Sequence, residues 1–80
     1  MEKSLFSKSY TLFLRHLRTK RRRAGLTQAE LAKRLGETQS FISKCERGER
    51  RIDVVELRAF CKALGISFTA FVKRLDRDMG

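Results

Sequence analysis

The chain has 80 residues, with 19 lysine and arginine residues against nine aspartate and glutamate residues, so its formal net charge is +10 at pH 7. This length fits one domain near the lower limit for burying a core without disulfides or metals. No apolar run reaches the roughly 18 residues of a membrane-spanning helix. The start, MEKSLFSKSY, lacks the apolar run and cleavage site of a secretion signal. We therefore expect one cytoplasmic domain over residues 1–80, with its core at 10–75 and a loose first few residues.

The positive charge is concentrated in two runs. RHLRTKRRR (15–23) holds six basic residues in nine, and KCERGERR (44–51) holds four in eight. A field of this strength favours polyanions, nucleic acid first and anionic membranes second; a general contribution to solubility is the alternative. Cys45 and Cys61 have neither CxxC spacing nor a nearby histidine pair. We therefore expect no metal site, and two small buried thiols in a reducing compartment.

Glycines and capping signals divide the chain into five helical segments. Proline is absent, and four glycines separate the apolar-periodic segments: Gly25, Gly36, Gly48 and Gly65. TQAE (27–30) and DVVE (53–56) match capping boxes, while Thr38 and Ser67 can cap two further helix starts. The apolar stripes are Tyr10, Phe13, Leu14, Leu17 and Ala24; Leu31, Ala32 and Leu35; Ile42 and Cys45; Val54, Leu57, Phe60, Cys61 and Leu64; and Phe68, Phe71, Val72 and Leu75. The pattern predicts a compact all-α domain of five short helices.

The second and third helices are joined by a turn around Gly36 that is about three residues long. Two short helices joined so tightly cross steeply, which is the helix-turn-helix geometry. In that geometry the second helix of the pair, here 38–47, enters the DNA major groove.

The third helix presents a polar arc. On a helical wheel, one set of side chains faces outward and another inward: Gln39, Ser40, Ser43, Lys44 and Arg47 lie on the outer arc, and Ile42, Cys45 and Glu46 point away. A glutamine amide can donate to and accept from adenine, a lysine ammonium can donate to guanine O6 and N7, and a serine hydroxyl can hydrogen-bond a base or a phosphate. An ordinary solvated face is the alternative, but the arc has no acidic residue and basic runs adjoin it. We predict that Gln39, Ser40, Ser43 and Lys44 read bases.

Arg21 lies on the apolar face of the first helix, in phase with Leu14 and Leu17. A buried arginine is costly unless it is paired, and Glu46 falls on the inner side of its own helix. We therefore predict an Arg21–Glu46 ion pair that fixes the third helix and leaves Arg21 able to approach a phosphate. The alternative is that Arg21 extends along its stem to solvent.

The segment GLTQAELAKRLGETQSFISKCERGER resembles the helix-turn-helix signature of the lambda repressor and Cro-like (XRE) family, and the resemblance extends over about residues 14–75. It implies a five-helix lambda-repressor-like DNA-binding domain. The resemblance also implies roles for individual residues. Gln28 is implied to bond a phosphate and to support the first recognition residue, and Gln39, Ser40 and Lys44, with Ser43 nearby, are implied to contact bases. Arg21 and Glu46 are implied to form an internal ion pair, and Arg47, Arg50 and Arg51 to bind phosphates. Phe41 departs from the small or polar residue often found there, and both a thymine methyl and a neighbouring helix remain open as its contact.

Nothing in the sequence predicts catalysis. His16 is the single histidine, no serine has a base partner at a recognisable spacing, and no phosphate-binding glycine loop is present. We expect no enzyme activity, no cofactor, no metal and no small-molecule ligand. The rival interpretations are a protein-binding antitoxin and a basic peptide for RNA or membrane surfaces.

The expected function is that of a nucleoid-associated, sequence-specific regulator that binds double-stranded DNA, as a repressor and autoregulator. Reading a pseudo-palindromic operator calls for a homodimer. Since we expect no further C-terminal domain, the fourth and fifth helices are the candidate interface, with the phenylalanine-rich fifth helix and Val55 foremost. An interior-only role for these apolar residues is the alternative.

Overall fold

Five α-helices make up most of residues 7–80, the part of the chain that the computed structural model describes. They are α1 (Lys8–Arg23), α2 (Gln28–Leu35), α3 (Gln39–Glu46), α4 (Val54–Leu64) and α5 (Phe68–Met79). No strand occurs in this range, so the predicted all-α fold is confirmed. The expected looseness of the first few residues concerns residues 1–6, which lie outside the described range.

Each helix begins at a side chain that accepts a hydrogen bond from a backbone N–H of the first turn. Both predicted capping boxes are present, at Thr27 with Glu30 and at Asp53 with Glu56. In the first box, Thr27 Oγ1 accepts from the Glu30 N–H at 3.1 Å and Glu30 Oε1 accepts from the Thr27 N–H at 2.8 Å. These caps satisfy donors that have no partner inside the helix, which is why the sequence locates the helix starts closely.

The turn between α2 and α3 consists of residues 36–38. Gly36 has a φ of 69°, in the left-handed region, and its N–H closes the end of α2 on carbonyl oxygens of that helix. Glycine adopts this conformation without the steric cost of a Cβ. Thr38 then caps α3 through a bond from the Phe41 N–H to Oγ1 at 3.1 Å. The tight reversal sets α3 directly against α2, as the helix-turn-helix interpretation requires.

The core lies between the helices, where α1 packs against α3 and α5, and α4 packs against α2 and α5. Its buried apolar side chains are Phe13, Leu14, Leu17, Leu26, Leu31, Ala32, Ile42, Cys45, Leu57, Phe60, Cys61, Leu64 and Phe71. Cys45 and Cys61 are free thiols whose pKa values are raised, chiefly by burial. None of the helices in residues 7–80 is both long enough and apolar enough to cross a membrane.

Three residues of the predicted apolar stripes are exposed. Ala24 is exposed because α1 ends at Arg23 and Ala24 is its C-terminal cap. Val54 is 65% exposed and Val72 is 39% exposed. Val54 is the first residue of α4, and α5 is an outer helix with one face packed on α1 and α4. The stripes of α4 and α5 therefore extend beyond the surface that the other helices cover.

Replacement of the cap of α3 should destabilise the domain. Thr38→Ala removes the bond to the Phe41 N–H, and we expect the free energy of unfolding to fall by about 1 kcal/mol. Urea denaturation followed by circular dichroism measures this change. Thr11→Ala is the matched control, because Thr11 is exposed on α1 and its side chain makes no hydrogen bond within residues 7–80; its effect should stay within about 0.5 kcal/mol. Equal effects of the two substitutions would contradict the assigned cap.

Candidate nucleic-acid interface

The outer face of α3 carries the four residues predicted to read bases. Gln39, Ser40 and Lys44 are exposed and Ser43 is half-buried, while the opposite face of the helix is buried at Ile42, Cys45 and Glu46. No carboxylate lies on the outer face of α3. Glu37 and Glu49 stand in sequence just before and just after this stretch. The face therefore offers an ammonium group, an amide and two hydroxyls toward solvent.

Arg21 of α1 and Glu46 of α3 meet inside the domain. Arg21 Nε donates to Glu46 Oε2 at 2.6 Å, and Arg21 Nη2 donates to Glu46 Oε1 at 3.0 Å. Arg21 Nη1 donates to the carbonyl oxygen of Leu26 at 2.9 Å. The two side chains are only 10% and 5% exposed. Such a two-bond fork fixes orientation as well as distance, so it sets how α3 lies against α1.

Gln28 also bonds the Glu46 carboxylate. This first residue of α2 is half-buried, and its Nε2 donates to Glu46 Oε1 at 3.0 Å. One carboxylate therefore connects α1, α2 and α3. An amide nitrogen has two hydrogens, so the second can still donate outward to a phosphate. No spacing rule relates residues 28 and 46, so the sequence pattern does not predict this bond.

The side chain of Arg47, at the C-terminal end of α3, bonds two neighbouring side chains. Its Nη1 donates to Ser43 Oγ at 2.6 Å, and its Nε donates to Glu49 Oε2 at 2.5 Å. The bond between Arg47 and Glu49 raises the pKa of the arginine and lowers the pKa of the carboxyl. Arg47 is exposed, but its guanidinium is already held by two side chains of its own segment.

Arg50 is bound to α4 and to an aromatic ring. Its Nη1 and Nη2 donate to the two carboxylate oxygens of Glu56 at 2.9 and 2.7 Å. These bonds are the main cause of the lowered pKa of Glu56. The guanidinium also lies 4.7 Å from the centroid of the Phe41 ring. Phe41 packs toward Phe60 of α4, with ring centroids 6.4 Å apart, so its contact in the structure is the neighbouring helix.

Tyr10 holds the segment between α3 and α4 to α1. The Ile52 N–H donates to Tyr10 Oη at 3.1 Å. The guanidinium of Arg51 lies 4.4 Å from the centroid of the Tyr10 ring. Tyr10 belongs to the predicted core stripe of α1, because helical periodicity predicts the face on which it lies but not the partner of its hydroxyl. The three arginines after α3 therefore emerge from a segment whose backbone is anchored.

Within residues 7–80, no group of three or more histidine, cysteine, aspartate or glutamate side chains is arranged to hold a metal ion.

The sequence of this chain is similar to those of known helix-turn-helix proteins. The family model described as helix-turn-helix matches residues 17–71. The uncharacterized HTH-type transcriptional regulator y4dJ of Sinorhizobium fredii is 41% identical over 56 residues, which are 70% of this chain and 73% of that protein.

Several solved structures are similar over nearly the whole chain. An XRE-family-like protein from Pseudomonas syringae pv. tomato is 43% identical with a TM-score of 0.85, covering 90% of this chain and 88% of that one. A point mutant of the restriction–modification controller protein C.Esp1396I is 28% identical with a TM-score of 0.78, covering 99% and 95%. The clp gene regulator ClgR of C. glutamicum is 28% identical with a TM-score of 0.75, covering 99% and 97%.

The buried pair should show strong energetic coupling. Arg21→Met or Glu46→Leu alone leaves an unpaired buried charge, which costs about 3–5 kcal/mol, whereas the double substitution leaves none. A double-mutant cycle by urea denaturation should therefore give a coupling of at least about 2 kcal/mol. If each single variant is unfolded, a folded double variant shows the same coupling.

The exposed pair Arg47–Glu49 is the control for this cycle, since both of its side chains are more than half exposed. Exposed pairs are screened by solvent, so its coupling should be far smaller. A coupling near zero for Arg21 and Glu46 would contradict the role assigned to the buried pair.

Proposed function

This chain belongs to the helix-turn-helix (XRE) family of DNA-binding transcriptional regulators, and from that premise we propose that it represses transcription, including that of its own gene, by binding a pseudo-palindromic operator as a homodimer. The observation that carries the proposal is the outer face of α3, which offers hydrogen-bonding side chains and no carboxylate. A protein bound at a promoter excludes RNA polymerase, so occupancy alone accounts for repression.

In this proposal α3 lies in the major groove and its outer face reads bases. Gln39 can donate to and accept from adenine, and Lys44 can donate to guanine O6 and N7. Ser40 and Ser43 add short-range contacts to bases. Support comes from the exposure of Gln39, Ser40 and Lys44, whose side chains make no hydrogen bond within residues 7–80. Ser43 is half-buried, and its Oγ accepts a hydrogen bond from Arg47.

Contacts to the DNA backbone are proposed for Gln28, Arg47, Arg50 and Arg51, which border α3. Arg21 acts indirectly, because three of its nitrogens donate to oxygens within the domain. Arg50 reaches a phosphate by exchanging Glu56 for it, so Glu56 competes with DNA for the same guanidinium. Several such contacts release counterions and make affinity fall steeply with salt.

The homodimer is proposed to form through α4 and α5. The large apolar side chains that remain exposed in residues 7–80 all lie on these helices: Val54, Val55, Val72 and Met79. Val54 and Met79 line a shared groove of about 410 Å³, together with Leu75. Burial of this surface against a second copy removes apolar area from water. A two-fold dimer then presents two α3 helices to two half-sites.

Footprinting of the DNA upstream of the gene for this protein tests the proposal. We expect protection of a short inverted repeat at low salt, with both halves protected together because a dimer binds as one unit. Absence of protection at low salt would contradict DNA binding at this promoter. Protection of one isolated half-site at all concentrations would contradict the dimer.

Base contacts and phosphate contacts should separate in variants. Lys44→Ala should weaken binding to the protected site by about 1–3 kcal/mol while leaving binding to random duplex nearly unchanged. Arg50→Gln should weaken both, and Glu56→Gln should strengthen both by releasing Arg50 from its carboxylate. Glutamine can still serve in the capping box with Asp53, so α4 keeps its start.

Fluorescence anisotropy with the two duplexes measures all three variants. Lys62→Ala is the matched control for Lys44, because Lys62 is exposed on α4 and lies outside the helix-turn-helix. Identical effects of Lys44→Ala and Arg50→Gln on both duplexes would refute the division of roles.

A further inference from the structure

A cleft between α1 and α5 combines positive charge with an apolar wall. It consists of two adjoining recesses, of about 230 and 110 Å³, which share His16, Lys20 and Arg74. Ile66 and Phe71 line the larger recess, and Arg15 and Arg23 line the smaller one. We call this feature the basic cleft and define it by His16, Lys20, Arg74, Arg15 and Arg23.

The basic cleft lies on the side of α1 that faces away from α3. Arg21 marks the side of α1 that meets α3, through its bonds to Glu46. Because an α-helix turns about 100° per residue, Thr19 and Arg23, two residues before and after Arg21, lie on the opposite side. Both of them line the cleft. A duplex held by α3 therefore leaves the cleft open.

One carboxylate of the chain already occupies the edge of the cleft. Asp78 Oδ2 lies 3.1 Å from His16 Nε2 and 3.8 Å from Arg74 Nε. In contrast, Arg15, Lys20 and Arg23 form no ion pair with any carboxylate of residues 7–80. A single carboxylate cannot neutralise this set of cations, so the cleft keeps an excess of positive charge next to an apolar recess.

We propose that the basic cleft is a docking site for an acidic segment of a partner protein. An apolar side chain of that segment enters the recess beside Phe71, and its carboxylates pair with Lys20 and Arg23 and displace Asp78 from Arg74. Duplex DNA presents phosphates on its outer surface and keeps its thymine methyl groups inside the major groove, whereas an acidic peptide can place carboxylates and an apolar side chain next to each other. Complementary charge gives such a contact its partner selectivity and rate. The proposal goes beyond DNA binding and does not depend on it.

Fluorescence anisotropy of a short labelled peptide made of glutamate and leucine tests the proposal at low ionic strength, where exposed charges are least screened. We expect the wild-type protein to bind it, and not the same peptide with glutamine in place of glutamate. Lys20→Gln with Arg23→Gln should weaken binding by about tenfold, since each partly exposed pair contributes modestly. Asp78→Asn should strengthen binding, because it removes the internal competitor.

The matched control is Arg18→Gln with Arg22→Gln, which removes the same charge from the same helix at positions that do not line the cleft. It should change peptide affinity by less than about twofold, since only long-range attraction is lost. Circular dichroism verifies that both double variants are folded.

Three results would overturn the proposal: no binding of the acidic peptide by the wild type, equal losses in the two double variants, or a selective loss of random-duplex binding in the cleft variant, which would make the cleft a nucleic-acid surface. Because the peptide assay contains no DNA, its outcome is independent of the operator experiments.

Discussion

The carboxylate of Glu46 is the constraint on which the interface depends. It is buried and accepts hydrogen bonds from Arg21 of α1 and Gln28 of α2 while belonging to α3. Taking two charges out of water costs several kcal/mol, and their attraction offsets this cost only when the geometry is good. An apolar replacement of similar volume can be as stable, so stability alone does not explain the pair. What the pair adds is a fixed orientation of α3 relative to α1 and α2.

A fixed orientation matters because α3 has only eight residues. A helix this short is not stable alone in water and needs tertiary contacts. Ile42 and Cys45 supply these contacts on the inner face, with no exposed surface, and Thr38 caps the start. On the outer face, the side chains of Gln39 and Lys44 make no hydrogen bond or ion pair within residues 7–80. The surrounding arginines differ, because Arg47 is bonded to Glu49 and Arg50 to Glu56. These bonds limit the conformational freedom of the two guanidinium groups, and in the proposed DNA complex a phosphate replaces the carboxylate.

Local rules determine most of what the sequence could predict. Helix starts, the Gly36 turn and the inner face of α3 follow from spacing over a few residues, and two charges on inner faces, Arg21 and Glu46, each require a partner. The bond from Gln28 to Glu46, and the bonds from Arg50 to Glu56, depend on how helices meet, which no local pattern encodes. Periodicity likewise gives the apolar face of a helix but not whether another helix covers it, so the pattern does not predict the exposure of Val54 and Val72.

The run RHLRTKRRR shows that basic residues clustered in the sequence do not all contribute charge to the same surface of the folded domain. In the sequence it is one basic segment, but a helix distributes its members around the axis. Arg21 points inward and its charge is matched by Glu46, while Arg15, Lys20 and Arg23 line a cleft on the far side of α1. Four of the six basic residues of the run therefore add no free positive charge beside α3. The long-range field of +10 attracts a polyanion, but in the proposed complex the phosphate contacts come from Gln28 and from the arginines at the end of α3 and just after it.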